Sequence, residues 1–325
     1  MEGPWLGRHV LVTGGLGFLG SHFVEELLAQ GAHVSATTRD TDPRRRVRLP
    51  NSGNLRIVQL NLLDDAVLRA FLRTAAPRFD AVFHCAGLEG NADFRKRNAA
   101  HILETNVLLT SHVLGAARDA EIPTISIAGS ADVRHEPAAR VDNHDGYALA
   151  KRFSEFQAGL HQKQYGMQIL LPRYTDLYGP RDRFGRNARE IPELLTRVVS
   201  GGTVHVRGDG KDLRTFMYVT DAVRATLQLL GRGHRDVVTI GTAEAVSGLD
   251  LARLVFELLD APERIVSVPA ESAGTESRLP DVDVLGGVID FRPRPLRQGL
   301  ADTVRWFRAE QETAATGQAF AIGRA

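Results

Sequence analysis

One cysteine, Cys85, stands in a chain of 325 residues. An internal disulfide framework is therefore excluded, and a reducing compartment is expected. Charge of one sign is missing too. Lysine and arginine number 40 against 39 aspartate and glutamate, a formal net charge of +1. No global field then favours nucleic acid or a membrane surface as partner. Long apolar runs are absent: nothing approaches the roughly 20 residues a membrane span needs. No secretory pattern precedes HVLVTG at 9–14. No grouping of His, Cys and Asp has metal-ligand spacing, so no metal is expected. These absences predict a cytoplasmic, metal-free protein without repeats or low-complexity tracts.

What is present is a strand–helix alternation. HVLVTG (9–14), AHVSATT (32–38), LRIVQL (55–60), FDAVFHCAG (79–87), PTISIAG (123–129) and MQILLPRY (167–174) read as strands. Helical patterns lie between them at 18–31, 65–75, 99–120 and 146–165. Right-handed crossovers between such strands build a doubly wound parallel sheet of the Rossmann type, an α/β fold. The pattern loosens after about residue 176. The expected division is a dinucleotide-binding domain over 1–176 and a smaller α/β substrate lobe over 177–325, with some segments returning to the sheet. The last dozen residues carry little pattern and are expected to be disordered.

Residues 13–20 read TGGLGFLG, directly after one strand and opening a helix. Gly14, Gly17 and Gly20 fit a TGxxGxxG spacing; Gly15, Gly17 and Gly20 fit GxGxxG. Glycines here permit the tight turn and the close approach of backbone to a pyrophosphate, whose charge meets the helix N-terminus. The end of the second strand then selects the cofactor. An acid there binds a ribose 2′-hydroxyl. This chain has Thr38 followed by Arg39, with Arg44, Arg45 and Arg46 close behind. A guanidinium suits a 2′-phosphate, so NADP is favoured. NAD is the alternative, with Asp40 as the ribose acid two residues along.

Residues 147–151 read YALAK. On a helix, positions i and i+4 share a face, so Tyr147 and Lys151 point the same way. A phenol is a poor acid/base near neutrality, and a neighbouring ammonium favours its ionised form. Tyr147 is thus a candidate general acid/base for a substrate hydroxyl or carbonyl. Ser130, closing an apolar run, could bond the same oxygen. Asp132 follows two residues later. It reads either as a base for a carbon-bound proton or as a loop or capping aspartate.

Together TGGLGFLG, HCAG (84–87), Asn106, Ser130, YALAK, RYTDLYGPRD (173–182) and GDGKDLRTFMYVTDAV (208–223) resemble the extended short-chain dehydrogenase/reductases. The likeness is to their nucleotide-sugar epimerase/dehydratase kind. It implies that Tyr147 is the acid/base, Lys151 binds nicotinamide ribose, and Ser130 polarises the reacting oxygen. It implies dinucleotide contacts at Gly14, Gly17, Phe18, Leu19, Gly20 and Arg39. Further contacts would come from Asn61, Leu62, Ala86, Gly87, Asn106 and Tyr174. The partner it implies is a nucleotide-diphosphate sugar, held through Ser130, Asp176, Arg181, Arg183 and Arg214, in a chain that forms a homodimer. Departures from the family pattern are Asp176 for asparagine, Arg134 for tyrosine, Thr215 for an acid, and a short segment between Ser130 and Tyr147.

The expected chemistry is hydride transfer through a 4-keto sugar. Epimerase ranks first, because Ala131 stands where similar dehydratases place an acid. A fucose-synthase-like NADPH-dependent 4-ketoreductase ranks second, and a dehydratase or decarboxylase third. No histidine lies in NARE (187–190), where that reductase branch carries a second acid/base; Arg189 is the nearest basic residue. His84, His135 and His144 remain candidates, with His84 expected in a strand beside the cofactor. A non-catalytic cofactor sensor is the remote reading, disfavoured by the retained serine, tyrosine and lysine.

Overall fold

The computed structural model describes residues 3–39, 49–133, 145–185, 187–269 and 279–315. Asp40, Arg44–Arg46, Arg134, His135, His144 and the segment 316–325 lie outside the described residues. The chain divides into two compact units. The first holds Met1–Tyr174 and Val223–Val238; the second holds Thr175–Ala222 and Thr239–Ala325.

The first unit is built on one sheet. The sheet's strands are β1 (His9–Thr13), β2 (His33–Thr38), β3 (Leu55–Gln59), β4 (Ala81–His84), β5 (Thr124–Ile127), β6 (Gly129–Ser130), β7 (Gln168–Tyr174) and β11 (Val237–Ile240), the last of which begins in the first unit and ends in the second. The order is β11-β7-β5-β4-β1-β2-β3, with β6 also paired to β7. The pairs β1–β2, β1–β4, β2–β3, β4–β5 and β5–β7 are all parallel. A parallel sheet needs cover on both faces, and side-chain alternation supplies two cores. Val10, Val12, Ala81 and Phe83 point into one, with Phe23, Val24 and Leu27 of α1 (Phe18–Ala29). Leu11 and Val82 point into the other. There they meet Leu68 and Leu72 of α2 (Asp65–Arg73) and Leu109, Val113 and Leu114 of α4 (Ala99–Asp119). A Rossmann-type α/β fold is thus what the alternation produces.

Two details position a site. The run 79–87 is strand only over Ala81–His84, so Cys85, Ala86 and Gly87 leave the sheet as a loop. A short helix absent from the sequence reading, α3 (Ala92–Arg97), follows; the Asn91 side chain caps it by accepting from the Phe94 amide at 3.0 Å.

In the second unit β10 (Leu213–Tyr218) pairs parallel to β8 (Asp176–Tyr178) and antiparallel to β12 (Ala245–Ser247). A parallel pair, β9 (Val204–Arg207) with β13 (Ile265–Val268), stands beside it in sequence. Tyr178, Phe216 and Tyr218 pack with helices α6 (Glu190–Val199), α8 (Gly248–Leu258) and α10 (Leu296–Ala315). Helix α7 (Val219–Gly231) begins in the second unit and gives Val223 and Leu227 to the first. The remaining helix is α9 (Asp283–Val288).

Candidate active site

The glycine loop joins β1 to α1. Gly14 has φ of +64°, the left-handed region that a side chain disfavours. A Cβ on Gly20 would lie 2.3 Å from the Gly14 carbonyl oxygen. The loop is therefore folded onto itself with no space for a methyl group at Gly20. The Gly15 amide donates to the Thr37 carbonyl at 3.0 Å, tying the loop to the end of β2. Gly17 caps α1 without any side-chain bond, so the helix opens on bare backbone. A helix N-terminus reached through glycines fits a pyrophosphate. Phe18 and Leu19 form the first turn; Phe18 stands edge-on to His22, and Leu19 packs on the core.

Strand β2 ends at buried Thr38, and exposed Arg39 follows. The Arg39 carbonyl accepts from the Gln59 side chain, leaving the guanidinium out of that bond. Asn61 turns the chain into α2, its side chain accepting from the Leu63 amide at 3.2 Å. Leu62 is buried, and its carbonyl accepts from His112 Nδ1 at 3.0 Å.

The loop after β4 is held by two side chains. Thr13 Oγ1 accepts from the Ala86 amide at 3.2 Å and pairs with His84 Nδ1 at 2.8 Å. Asn106 Oδ1 accepts from the Leu88 amide at 2.7 Å, and Nδ2 donates to the Leu88 carbonyl at 2.9 Å. Asn106 therefore shapes the Ala86–Gly87 loop through Leu88. Burial, and then the Lys151 charge, push the His84 imidazole down to about 3. It stays neutral, as a buried strand residue should. Burial pushes the Cys85 thiol up to about 12, so it is not a thiolate. Tyr174 is buried, with its hydroxyl bonded to Thr226 at 2.8 Å and its ionisation opposed by burial. The polar groups of Asn106 and Tyr174 are thus engaged with Leu88 and Thr226.

Helix α5 (Gly146–Tyr165) carries Tyr147 and Lys151 on one face. Asp145 caps it, Oδ1 accepting from the Tyr147 and Ala148 amides at 3.1 Å each. Lys151 Nζ donates to the Ala128 carbonyl at 2.6 Å, two residues before Ser130. It also lies 5.5 Å from the Tyr147 ring centroid. Burial lowers the Lys151 ammonium from its usual range, against the opposing charge of Glu89. Ser130 is buried in register with Tyr174, and its Oγ accepts from the Asp132 amide at 3.1 Å.

Asp132 does not stand alone. Arg95 of α3 donates to Asp132 Oδ2 at 2.9 Å, and its other arm bonds Asp145. The same guanidinium lies over the Tyr147 ring, 4.5 Å from the centroid. The fold thus brings Ser130, Asp132, Tyr147 and Lys151 together and adds Arg95 and Asp145, which the sequence reading missed. Asp145 was legible, since an aspartate directly before a helical run is a capping signal. Arg95 carried none: FRKR reads as a solvated basic run.

The second unit holds the remaining candidates. Asp176 opens β8, exposed. Arg181 adopts φ of +68°, and the Arg183 amide donates to buried Asp182 at 2.7 Å. Asp182 also accepts from Arg189 at 2.9 Å, and Arg214 donates to Glu190 at 2.6 Å. Arg189, the nearest stand-in for the missing histidine, is therefore the ion-pair partner of Asp182. Among the described residues no group of His, Cys, Asp and Glu could hold a metal ion. No helix there is long and apolar enough to cross a membrane.

Comparison with known proteins places the chain in a family. The model of the NAD dependent epimerase/dehydratase family matches residues 10–241. A dTDP-4-dehydro-6-deoxy-D-allose reductase of Streptomyces bikiniensis is 39% identical over 317 residues, 94% of this chain and 97% of the relative. A UDP-N-acetyl-alpha-D-glucosaminuronate decarboxylase of Bacillus cytotoxicus is 29% identical, with 93% and 98% covered. Among solved structures, the dTDP-glucose 4,6-dehydratase DesIV of Streptomyces venezuelae, with NAD bound, superposes with a TM-score of 0.81. It is 27% identical, with 94% of this chain and 98% of that one covered.

Proposed function

This chain belongs to the NAD dependent epimerase/dehydratase family, and we propose that within it the chain is an NADPH-dependent reductase of a dTDP-linked 4-keto-6-deoxy sugar. It is an enzyme that works with a nicotinamide dinucleotide, in a family acting on nucleotide-linked sugars. The observation that carries the reductase reading is full-length identity of 39% and 38% with two Streptomyces reductases of dTDP-4-dehydro-6-deoxy-D-allose. Reductase thereby moves ahead of epimerase, which the sequence placed first. The engagement of Asp132 weighs against the dehydratase reading and leaves the order of reductase and 4-epimerase to the comparison. A carboxylate held by a guanidinium is not the unencumbered base that removal of a carbon-bound proton requires.

The first unit would hold the dinucleotide, on the bare N-terminus of α1 and between the Thr38–Arg39 end of β2 and the Ala86–Gly87 loop. The reduced nicotinamide, when bound, supplies a hydride. Tyr147 gives its phenolic proton to the carbonyl oxygen as that oxygen gains charge. Ser130 accepts one bond from the Asp132 amide, so its own hydrogen remains for the same oxygen. Lys151, fixed to the Ala128 carbonyl, stabilises the phenolate left behind and reaches the nicotinamide ribose. The second unit would hold the nucleoside diphosphate through Arg181, Arg183 and Arg214, a phosphate taking the place of Glu190 at Arg214. Asp176 stays off the phosphates, since like charges repel.

The test supplies dTDP-4-dehydro-6-deoxy-D-allose and NADPH and follows cofactor absorbance and the sugar product. One NADPH oxidised per sugar reduced is expected. Epimerised sugar without net cofactor loss would overturn the reading in favour of epimerase. Arg39→Ala should raise the KM for NADPH by roughly ten- to a hundred-fold, the value of one charge-assisted bond. The KM for NADH should move little. Equal effects on both cofactors would remove Arg39 from 2′-phosphate recognition.

A second copy would cover the outer face of α5. Phe153, Phe156 and Leu160 are exposed there at i, i+3 and i+7, and Leu108 of α4 is exposed as well. An apolar stripe of that spacing needs a partner. Phe156→Lys should convert a dimer to monomer in sedimentation equilibrium. A wild-type monomer would exclude the interface.

A further inference from the structure

We propose that Arg95 is a positioning residue for proton transfer: braced by Asp132 and Asp145, its guanidinium holds the Tyr147 ring and biases the phenol towards releasing its proton. This rests on Tyr147 being the proton donor, as read above.

The geometry has three parts. Arg95 donates one arm to Asp132 and the other to Asp145. Its central carbon lies 4.5 Å from the Tyr147 ring centroid. Asp132 follows the serine turn, and Asp145 caps the tyrosine helix. One cation therefore ties the segment carrying Ser130 to the segment carrying Tyr147. Ser130 and Tyr147 must reach the same substrate oxygen, and small errors in such placement cost large factors in rate.

The brace is internally consistent. The Arg95 side chain is 21% exposed. Burial alone would lower its pKa, yet the bonds and charges of Asp145 and Asp132 hold it above its ordinary value. Burial would likewise raise Asp145, but the Arg95 bond and charge and the Ala148 and Tyr147 amides hold it below the usual carboxylate range. Arg95 and Asp145 are thus both held in their charged forms, and the cation over the ring is permanent.

Charges facing Tyr147 come from every neighbouring segment. Lys151 lies one turn along α5, Arg95 comes from α3, Asp145 from the cap and Asp132 from the turn after β6. Glu89 acts from the loop after β4 through Lys151. Two cations lie near the aromatic ring, and Arg95 stands between it and the two carboxylates, offsetting one of their two charges. A cation beside a phenol favours the phenolate, and the ring face adds its own attraction for the guanidinium. Lys151 lies 5.5 Å from the ring centroid and Arg95 4.5 Å, so the guanidinium adds a second, nearer cation.

The experiment titrates tyrosinate absorbance in the full-length protein with NADP⁺ bound. The chain has five tyrosines, and the component missing from Tyr147→Phe is assigned to Tyr147. Arg95→Met should move that component up by about one unit and carry the alkaline limb of the kcat profile with it. Reduction needs the protonated phenol, so removing the cation extends activity to higher pH while lowering kcat at neutrality roughly ten-fold. Arg95→Lys should restore the position of the limb, since it returns the charge, but not the full kcat, since an ammonium cannot fork between two carboxylates. Asp132→Asn should cost a few-fold.

An unmoved Tyr147 component in Arg95→Met, with Arg95→Lys folded and equally unmoved, overturns the proposal. So does a loss in Asp132→Asn as large as that in Tyr147→Phe, which would make Asp132 a reacting base. Retained turnover in Tyr147→Phe would instead sink the underlying assignment of the proton donor.

Discussion

Replacing Tyr147 with phenylalanine lowers kcat by roughly two to four orders of magnitude while changing the KM for NADPH little. The substitution removes one oxygen and keeps the ring that Arg95 and Lys151 face. Helix α5 keeps its Asp145 cap, which binds backbone amides rather than the phenol. Folding and cofactor binding are therefore spared, and the lost interaction is one made to an oxygen that gains charge during hydride transfer. Single-turnover rates of NADPH oxidation at saturating sugar, with the unfolding midpoint measured alongside, check the result. A fall confined to KM would assign Tyr147 to substrate binding, and a cofactor-sensing protein would keep its ligand response altogether.

Much of this site is readable before any coordinates. Alternation of strand and helix gives the sheet, because each parallel strand shows a short apolar run and each crossover a helical period. The glycine loop is legible because its chemistry is local: Gly14, Gly17 and Gly20 are needed by backbone geometry within one turn. Tyr147 and Lys151 are legible because helical spacing places them together.

What escapes the sequence is assembled across distance. Arg95 is 37 residues from Asp132 and 50 from Asp145, and nothing in FRKR separates a ring-facing arginine from a solvated one. Asp132 stands open between base and cap in the sequence because its partner is out of sight. Its actual neighbour, a guanidinium, speaks for a brace. Asn106 and Tyr174 show the same limit from the other side. Their polar groups are spent on Leu88 and Thr226, which no motif reveals. Choice among reductase, epimerase and dehydratase lies deeper still, since all three begin from the same serine, tyrosine and lysine.

Gly20→Ala abolishes dinucleotide binding and destabilises the first unit more than Gly17→Ala does. An added Cβ at Gly20 lies 2.3 Å from the Gly14 carbonyl oxygen and 2.8 Å from its carbon. Both are backbone atoms, so relief requires the loop itself to move. Gly14 resists, because it is held at φ of +64° with Ala86 backbone about its own Cβ position at 3.0 Å. Overpacking of this kind costs about 1–3 kcal/mol. At Gly17 the nearest atom to an added Cβ is the same carbonyl at 3.0 Å, and φ of −79° suits any residue. A shift of a few tenths of an ångström would relieve it. Stability should then fall clearly for Gly20→Ala and little for Gly17→Ala. Affinity for NADPH should fall for both, because a methyl at either position stands between the pyrophosphate and the amides that open α1. Chemical denaturation and a fluorescence titration with NADPH measure the two quantities separately. Equal stability costs would mean that the loop relaxes freely, and the phosphate cradle would then owe its shape to the bound dinucleotide rather than to the fold.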